Sequence, residues 1–136
     1  LAQKLGTADY WPYAYKDGPY QGFASSFDVF GDGSVVLVPA PGHTPGSTIV
    51  FVNALNGQQG KLYAFIGDTA WQREGVAIPA ERPWLSRSAA DSDSAGVLRW
   101  LQHLHELQKT TPNLVIVPAH DARVWGSLPA LAPSKP

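Results

Sequence analysis

Three residues that lie far apart along the chain carry side chains suited to binding a metal ion: His43, Asp68 and His120. Neutral imidazole binds zinc and similar divalent ions, and a carboxylate can bridge two ions. The sequence has no cysteine, so any metal must be held by histidine and carboxylate side chains. Two histidines and one aspartate are too few for two ions, because each zinc usually takes three protein ligands and a water.

Four apolar segments bounded by turn-forming residues are predicted to be strands. They are rich in β-branched residues and cover 34–40, 47–53, 61–67 and 114–117. A helix is predicted over 90–109, where apolar residues recur on one face, with Asp91 or Ser92 as its N-cap. Residues 23–30 are a further predicted strand, followed by a turn at 31–33 that requires positive φ at glycine.

The connections between these elements predict where the three candidate ligands meet. Residues 41–46 include two prolines and two glycines, so they form a short reversing loop rather than a helix or strand. The first, third and fourth of the long strands then run in the same direction, with the helix returning the chain before the last. His43, Asp68 and His120 follow the ends of these strands and should lie at one edge of the sheet, where layered α/β folds build sites.

Three short motifs surround the candidate ligands. They are Pro-Gly-His-Thr-Pro-Gly-Ser at 41–47, Gly-Asp-Thr at 67–69 and Pro-Ala-His-Asp at 118–121. In order and spacing they resemble the histidine loop, the bridging-aspartate motif and the final histidine motif of metallo-β-lactamase superfamily hydrolases. The resemblance covers roughly residues 23 to 125. It implies an α/β (α+β) fold that is half of a four-layer αββα sandwich, with a mixed or antiparallel sheet and a flanking helix.

The same resemblance implies roles for the three residues. His43 would complete a first metal site, His120 would bind a second ion, and Asp68 would bridge both ions and orient the attacking water. The cofactors would be two divalent metal ions, zinc first, with iron or manganese as alternatives. The activated water would attack the carbonyl carbon of an ester, lactone or thioester. An aspartate at position 68 argues against a true β-lactamase, because that branch commonly lacks one there.

The superfamily's hallmark, His-x-His-x-Asp-His, is absent from the sequence. The only His-x-His is formed by His103 and His105 inside the predicted helix, where residues i and i+2 do not share a face, so we expect no ligand role for them. Because the chain begins at Leu1, we expect the missing ligands in a lost N-terminal half or in a second polypeptide. The intact protein is predicted to be an enzyme, and the isolated chain to be inactive.

Two other functions stay open from the sequence. The chain could be a non-catalytic module that forms a homodimer through an apolar sheet face, or an iron-dependent redox enzyme on the same fold. Four further residues are candidates for a substrate wall or a bracing role: Thr44, Trp71, Arg73 and Trp84. Thr44 could equally close its own turn, and the other three could simply anchor the predicted long loop over 69–88.

Composition limits the class of protein. The 136 residues are 44% hydrophobic and 15% charged, which is typical of one globular domain. A net charge of −1 gives no basic excess for nucleic acid, and no apolar run reaches the roughly 18 residues of a membrane span. We expect a small-molecule substrate, and either a cytoplasmic or a periplasmic location. The predicted organisation is an aromatic lead-in over 1–22, the half-domain over 23–127 and a proline-rich tail over 128–136.

Overall fold

The computed structural model describes residues 11–54, 60–80, 83, 84 and 90–129. Five strands form one sheet: β1 (Phe27–Asp28), β2 (Val35–Pro39), β3 (Thr48–Ala54), β4 (Lys61–Gly67) and β5 (Leu114–Pro118). Within the described residues they are accompanied by helices α1 (Glu74–Ala77), α2 (Ser94–Thr110) and α3 (Ala122–Trp125). The strands lie in the sheet in the order β1-β2-β3-β4-β5, so neighbours in sequence are also neighbours in space.

The strand directions are those that the sequence predicts. β2, β3 and β4 pair antiparallel, and β5 pairs parallel to β4 after α2 has carried the chain back. The sheet is therefore mixed, and β2, β4 and β5 run in the same direction. Their carboxyl ends lie at one edge, because β3 runs antiparallel between β2 and β4, and β5 runs parallel to β4. The candidate metal ligands come shortly after the strands that end at this edge.

Helix α2 covers one face of the sheet and encloses the main core. Its buried side chains Val97, Leu101 and Leu104 share one face of the helix, in agreement with the predicted periodicity. They pack against alternate residues of the strands, such as Phe51 and Ile66, which are 1% exposed. The alternation follows from the pleat, which sends every second side chain to the same face.

The other face of the sheet is apolar but only partly covered. Helix α3 contributes Val124 to a small cluster with Tyr63 and Val117. Leu37 pairs with Val50, and Val50 pairs with Phe65, so these three residues form a row across β2, β3 and β4. At one end of the row Phe65 packs against this cluster, and its ring centroid lies 5.8 Å from that of Trp125 in α3. All three are partly exposed. The sheet thus presents a partly exposed apolar row, which α3 contacts at Phe65.

The first predicted strand is much shorter than expected. Only Phe27 and Asp28 are strand residues in the segment predicted over 23–30. The carboxylate of Asp28 accepts hydrogen bonds from the backbone N–H groups of Gly31 (3.0 Å) and Gly33 (2.8 Å), which curls the chain away from the sheet. Both glycines have positive φ, 71° and 73°, as the predicted turn requires.

Two further expectations about the chain between β4 and β5 need correction. The predicted long loop over 69–88 contains the short helix α1. Helix α2 begins later than predicted and its N-cap is Asp93, whose side chain accepts a hydrogen bond from the backbone of Gly96 at 2.9 Å. Asp91 and Ser92, the predicted caps, lie before the helix and contact the loop that holds His43. No helix in the described ranges is both long and apolar enough to cross a bilayer.

The aromatic lead-in packs against the edge of the sheet. Tyr13 stacks on Phe27 with ring centroids 5.1 Å apart, and the Tyr15 hydroxyl lies 2.7 Å from the Thr48 hydroxyl. Burial and the neighbouring Tyr13 raise the pKa of Tyr15. Residues 1–10 of the lead-in and 130–136 of the tail lie outside the described residues.

Candidate metal centre

Asp68 and His120 meet at the carboxyl edge of the sheet. They follow the parallel neighbours β4 and β5, whose ends are joined by a hydrogen bond from Ala119 N–H to the Gly67 carbonyl (3.1 Å). Gly67 has φ of 55°, a left-handed conformation that favours glycine and turns the chain out of the strand before Asp68. Nε2 of His120 lies 2.7 Å from Oδ1 of Asp68. The side chains are 62% and 36% exposed, so this pair remains open to solvent and to a ligand.

His43 lies in the loop after β2 and pairs with a different carboxylate. Its Nδ1 lies 3.1 Å from Oδ1 of Asp91, whose side chain is only 1% exposed. The loop itself is closed by Thr44 and Ser47, since the Ser47 hydroxyl accepts a hydrogen bond from the Thr44 N–H and lies 3.0 Å from the Thr44 hydroxyl. Thr44 therefore closes its own turn.

The residues before α2 hold the histidine loop by its backbone. Ser92 donates from its N–H to the His43 carbonyl (3.1 Å) and from its hydroxyl to the Gly42 carbonyl (2.9 Å). Asp93 N–H donates to the same Gly42 carbonyl at 2.8 Å. Gly42 packs so closely on α2 that a Cβ placed on it would lie 2.8 Å from the backbone nitrogen of Val97. The loop thus packs directly on the start of the helix, and position 42 is a glycine because a larger residue would clash with the helix backbone.

The predicted ligands therefore lie at one sheet edge as two pairs, His120 with Asp68 and His43 with Asp91. Among the described residues no cluster of three or more histidine, aspartate or glutamate side chains is arranged to hold an ion. The donor chemistry does suit a divalent metal: an imidazole nitrogen and a carboxylate oxygen stand 2.7 Å apart, within reach of one ion. The structure thus brings together one imidazole and one carboxylate of the kind that bind divalent ions.

Sequence reasoning missed Asp91 as a partner of His43. It lies 48 residues further along the chain, and its position before a helix favours a local capping role equally well. The sequence did contain a signal for such a contact. Asp91, Ser92 and Asp93 can all cap a helix, and a single helix needs only one cap, so the other two side chains are available for contacts elsewhere.

A cavity of about 640 Å³ opens beside His120. Its wall is largely apolar and includes Ala70, Trp71, Ala80 and Leu101, with Glu74 as a charged member. Trp71 is 47% exposed, so its indole forms part of this wall while still reaching solvent. Of the other predicted loop residues, Trp84 is 72% exposed and Arg73 precedes α1 as its N-cap residue.

A charged network beside His120 fixes the wall of this cavity. The buried Asp121 accepts hydrogen bonds from the Arg73 backbone (3.1 Å) and from Nε of Arg123 (2.9 Å). Arg123 also binds both carboxylate oxygens of Glu74, at 2.9 and 2.7 Å. The guanidinium holds the pKa values of Asp121 and Glu74 below their usual range, and these carboxylates raise the pKa of Arg123. The network ties α1 to the residue that follows His120.

The two histidines of α2 bind backbone carbonyls. Nε2 of His103 lies 2.8 Å from the Gln21 carbonyl, and Nδ1 of His105 lies 3.0 Å from the Val76 carbonyl. His103 also contacts the ring of Phe23 edge-to-face at 4.7 Å between centroids. These contacts anchor the helix to the lead-in and to α1.

Solved structures with a similar fold include N-acyl homoserine lactone hydrolases. One is an N-acyl homoserine lactone hydrolase described with the product N-hexanoyl-L-homoserine bound at its catalytic metal centre. It matches 77% of this chain at 22% identity, with a TM-score of 0.55. A quorum-quenching N-acyl homoserine lactone lactonase matches the same share at 21% identity and a TM-score of 0.54. The chain has a metallo-β-lactamase-type fold. A B. thuringiensis lactonase of this kind, with N-decanoyl-L-homoserine at its active site, matches equally well at 21% identity and a TM-score of 0.54.

The likeness is partial in length and distant in sequence. The chain spans 37 to 38% of the length of these proteins, in agreement with a C-terminal half of the metallo-β-lactamase-type fold. No profile of a known protein family matches the chain, and no curated protein matches it significantly. At this level of identity the likeness shows the shared fold, and the sheet edge that carries the candidate ligands belongs to that fold.

Proposed function

We propose that this chain is part of a metal-dependent hydrolase that cleaves an ester, lactone or thioester, with His43, Asp68 and His120 among its metal ligands. The observation that carries the proposal is the contact of Asp68 with His120, 2.7 Å apart at the carboxyl edge of the sheet and beside a largely apolar cavity. The proposal is supported by the fold, which the chain shares with metal-dependent lactonases.

Each candidate residue has a distinct role in this proposal. Asp68 offers a carboxylate that can bind an ion and accept a hydrogen bond from the attacking water, and His120 offers Nε2 beside it. His43 offers Nε2, because its Nδ1 faces Asp91. When bound, two divalent ions, zinc first with iron or manganese as alternatives, supply Lewis acidity that activates water and polarises a carbonyl. Trp71 and its apolar neighbours would contact the apolar part of a substrate.

The ligand shortage requires a second contribution to the site. Three protein ligands per ion cannot be drawn from His43, Asp68 and His120 alone if two ions are bound. The partly exposed apolar row of Leu37, Val50 and Phe65 is a surface that a further sheet would bury. We therefore propose that a companion segment, in the same polypeptide or a second one, supplies the other ligands.

The substrate is proposed to combine a hydrolysable carbonyl with an apolar group. The cavity beside His120 is lined mainly by apolar side chains, which favours an alkyl or acyl substituent over a charged one. The lactonases with the same fold are named for N-acyl homoserine lactones, so lactones with an acyl chain are the first compounds to test. Simple esters and thioesters extend the panel.

The experiment uses the protein purified in its native, complete form. Metal content is measured together with hydrolysis of the panel, for the wild type and for Asp68→Asn and His120→Ala. Both variants should lose bound zinc and activity together, because each removes a ligand. Asp32→Asn, at an exposed turn remote from the site, is the matched control and should retain both. Full activity in the two ligand variants would refute the proposal.

A non-catalytic dimerisation module is the second candidate. It is favoured by the absence of a three-ligand cluster in the described ranges and by the partly exposed apolar row on the sheet. A metal-free homodimer without activity would support it over the hydrolase. Iron in place of zinc, with consumption of an oxidant in place of hydrolysis, would support the redox alternative.

A further inference from the structure

We infer that Asp91 is a positioning residue, which fixes the tautomer and orientation of the His43 imidazole so that Nε2 faces a metal ion. The inference rests on the proposed metal-dependent function and adds a residue outside the three ligands. Its basis is the contact of 3.1 Å between Nδ1 of His43 and Oδ1 of Asp91, together with the backbone contacts that hold the two segments in register.

The chemistry of the contact determines the tautomer. An ionised carboxylate has acceptors but no donor, so the hydrogen in this contact must belong to Nδ1 of His43. In a neutral imidazole the other nitrogen, Nε2, then carries the lone pair. A lone pair on Nε2 is what a ligand to a divalent ion requires, whereas the opposite tautomer would place a proton there.

The geometry around Asp91 restricts the movement of the pair. Ser92 and Asp93 follow Asp91 directly and donate three hydrogen bonds to the carbonyls of Gly42 and His43, at 2.8 to 3.1 Å. Both residue 43 and residue 91 are thus held through their neighbours as well as through the side-chain contact. The orientation of the imidazole is therefore set by the fold before any ion binds.

Asp91 is a buried carboxylate beside the His43 imidazole. Its side chain is 1% exposed, and removing a carboxylate from water is unfavourable unless it gains strong partners. One such partner is the Nδ1–H group of His43. A carboxylate accepts a hydrogen bond more strongly than an amide does, which makes the imidazole a better electron donor to a cation.

The test compares Asp91→Ala with Asp93→Ala in the complete native protein. Asp93 is the matched control, because it lies two residues away and its side chain caps α2 and binds Arg99 rather than His43. The first readout is the nitrogen-15 NMR spectrum of the His43 ring in metal-free protein, assigned with His43→Gln. The second is zinc affinity, measured by competition with a chromophoric chelator. Asp91→Asn, which keeps the shape, replaces Asp91→Ala if the latter does not fold.

The expected result is specific to Asp91. The wild type and Asp93→Ala should show the Nδ1–H tautomer, and Asp91→Ala should show a mixture with zinc affinity lowered about 10- to 100-fold. Asp91→Asn should lower the affinity in the same direction by a smaller factor. An unchanged tautomer and unchanged zinc affinity in Asp91→Ala would overturn the positioning role. A wild type that holds the tautomer but binds no zinc would instead overturn the proposed function.

Discussion

Replacing Gly42 by alanine should lift the His43 loop from helix α2. A Cβ at this position would lie 2.8 Å from the backbone nitrogen of Val97, 3.0 Å from Val97 Cγ2 and 3.2 Å from the backbone carbon of Gly96. All three distances are shorter than the 3.4 Å at which ordinary contact begins, and two involve backbone atoms that no side-chain rotation can move. Overpacking of this kind costs about 1–3 kcal/mol.

Movement of the loop away from the clash would lower the stability by a similar amount. If the loop relieves the clash by moving away, the Gly42 carbonyl loses its hydrogen bonds from Ser92 Oγ and Asp93 N–H. Each such bond contributes about 0.5–1.5 kcal/mol, so the total loss is again about 1–3 kcal/mol. Both routes predict a clear fall in the free energy of unfolding.

Gly46→Ala is the control within the same loop. A Cβ at Gly46 would meet nothing within 4 Å, and its φ lies outside the left-handed range. Alanine there should be neutral or should stabilise the protein by up to about 1 kcal/mol, since it restricts the unfolded chain. Urea unfolding followed by tryptophan fluorescence measures both variants. Free energies that agree within about 0.5 kcal/mol for the two variants would refute the seating of the loop on α2.

Two further predictions concern the stability of the scaffold. Leu104→Ala removes a side chain that is 0% exposed in the main core and should lower the free energy of unfolding by about 2–5 kcal/mol, measured by urea unfolding. Arg123→Gln should destabilise the protein at pH 7, where Asp121 and Glu74 are ionised and bound to the guanidinium. Arg123 lowers the pKa of both carboxylates in the folded protein. The stability that Arg123 contributes is therefore fully present above pH values of about 4, where both carboxylates are also ionised in the unfolded chain, and it declines as pH falls towards their lower pKa values in the folded protein. The gap between wild type and variant should therefore narrow from pH 7 to pH 3, and a gap that stayed constant would contradict the role of this network.

The strand framework could be predicted because its signals are local. The segment 61–67 is an apolar run between turn residues, and the structure has β4 at the same seven positions. The direction of each strand followed from loop lengths alone, and this placed His43, Asp68 and His120 at one edge. The prediction of a strand over 23–30 was wrong in its length, because the apolar pattern does not reveal the two hydrogen bonds by which Asp28 bends the chain.

The details of the site could be predicted only in part, because they depend on contacts between distant residues. The motifs placed Asp68 and His120 after neighbouring strands, and the structure brings their side chains together. The pairing of His43 with Asp91 spans 48 residues, and nothing local distinguishes the buried Asp91 from the helix-capping Asp93. The network of Arg123 with Glu74 joins segments 49 residues apart, and no periodicity in the sequence signals it.

The central claim, that this sheet edge holds a metal ion on His120 and Asp68, is tested most directly by anomalous diffraction at the zinc absorption edge from crystals of the complete protein grown with zinc. The proposal predicts a strong anomalous peak about 2.0–2.2 Å from Nε2 of His120 and from a carboxylate oxygen of Asp68. The proposal would be contradicted by crystals that show no anomalous peak beside these two residues and in which the side chains of His120 and Asp68 still contact each other directly.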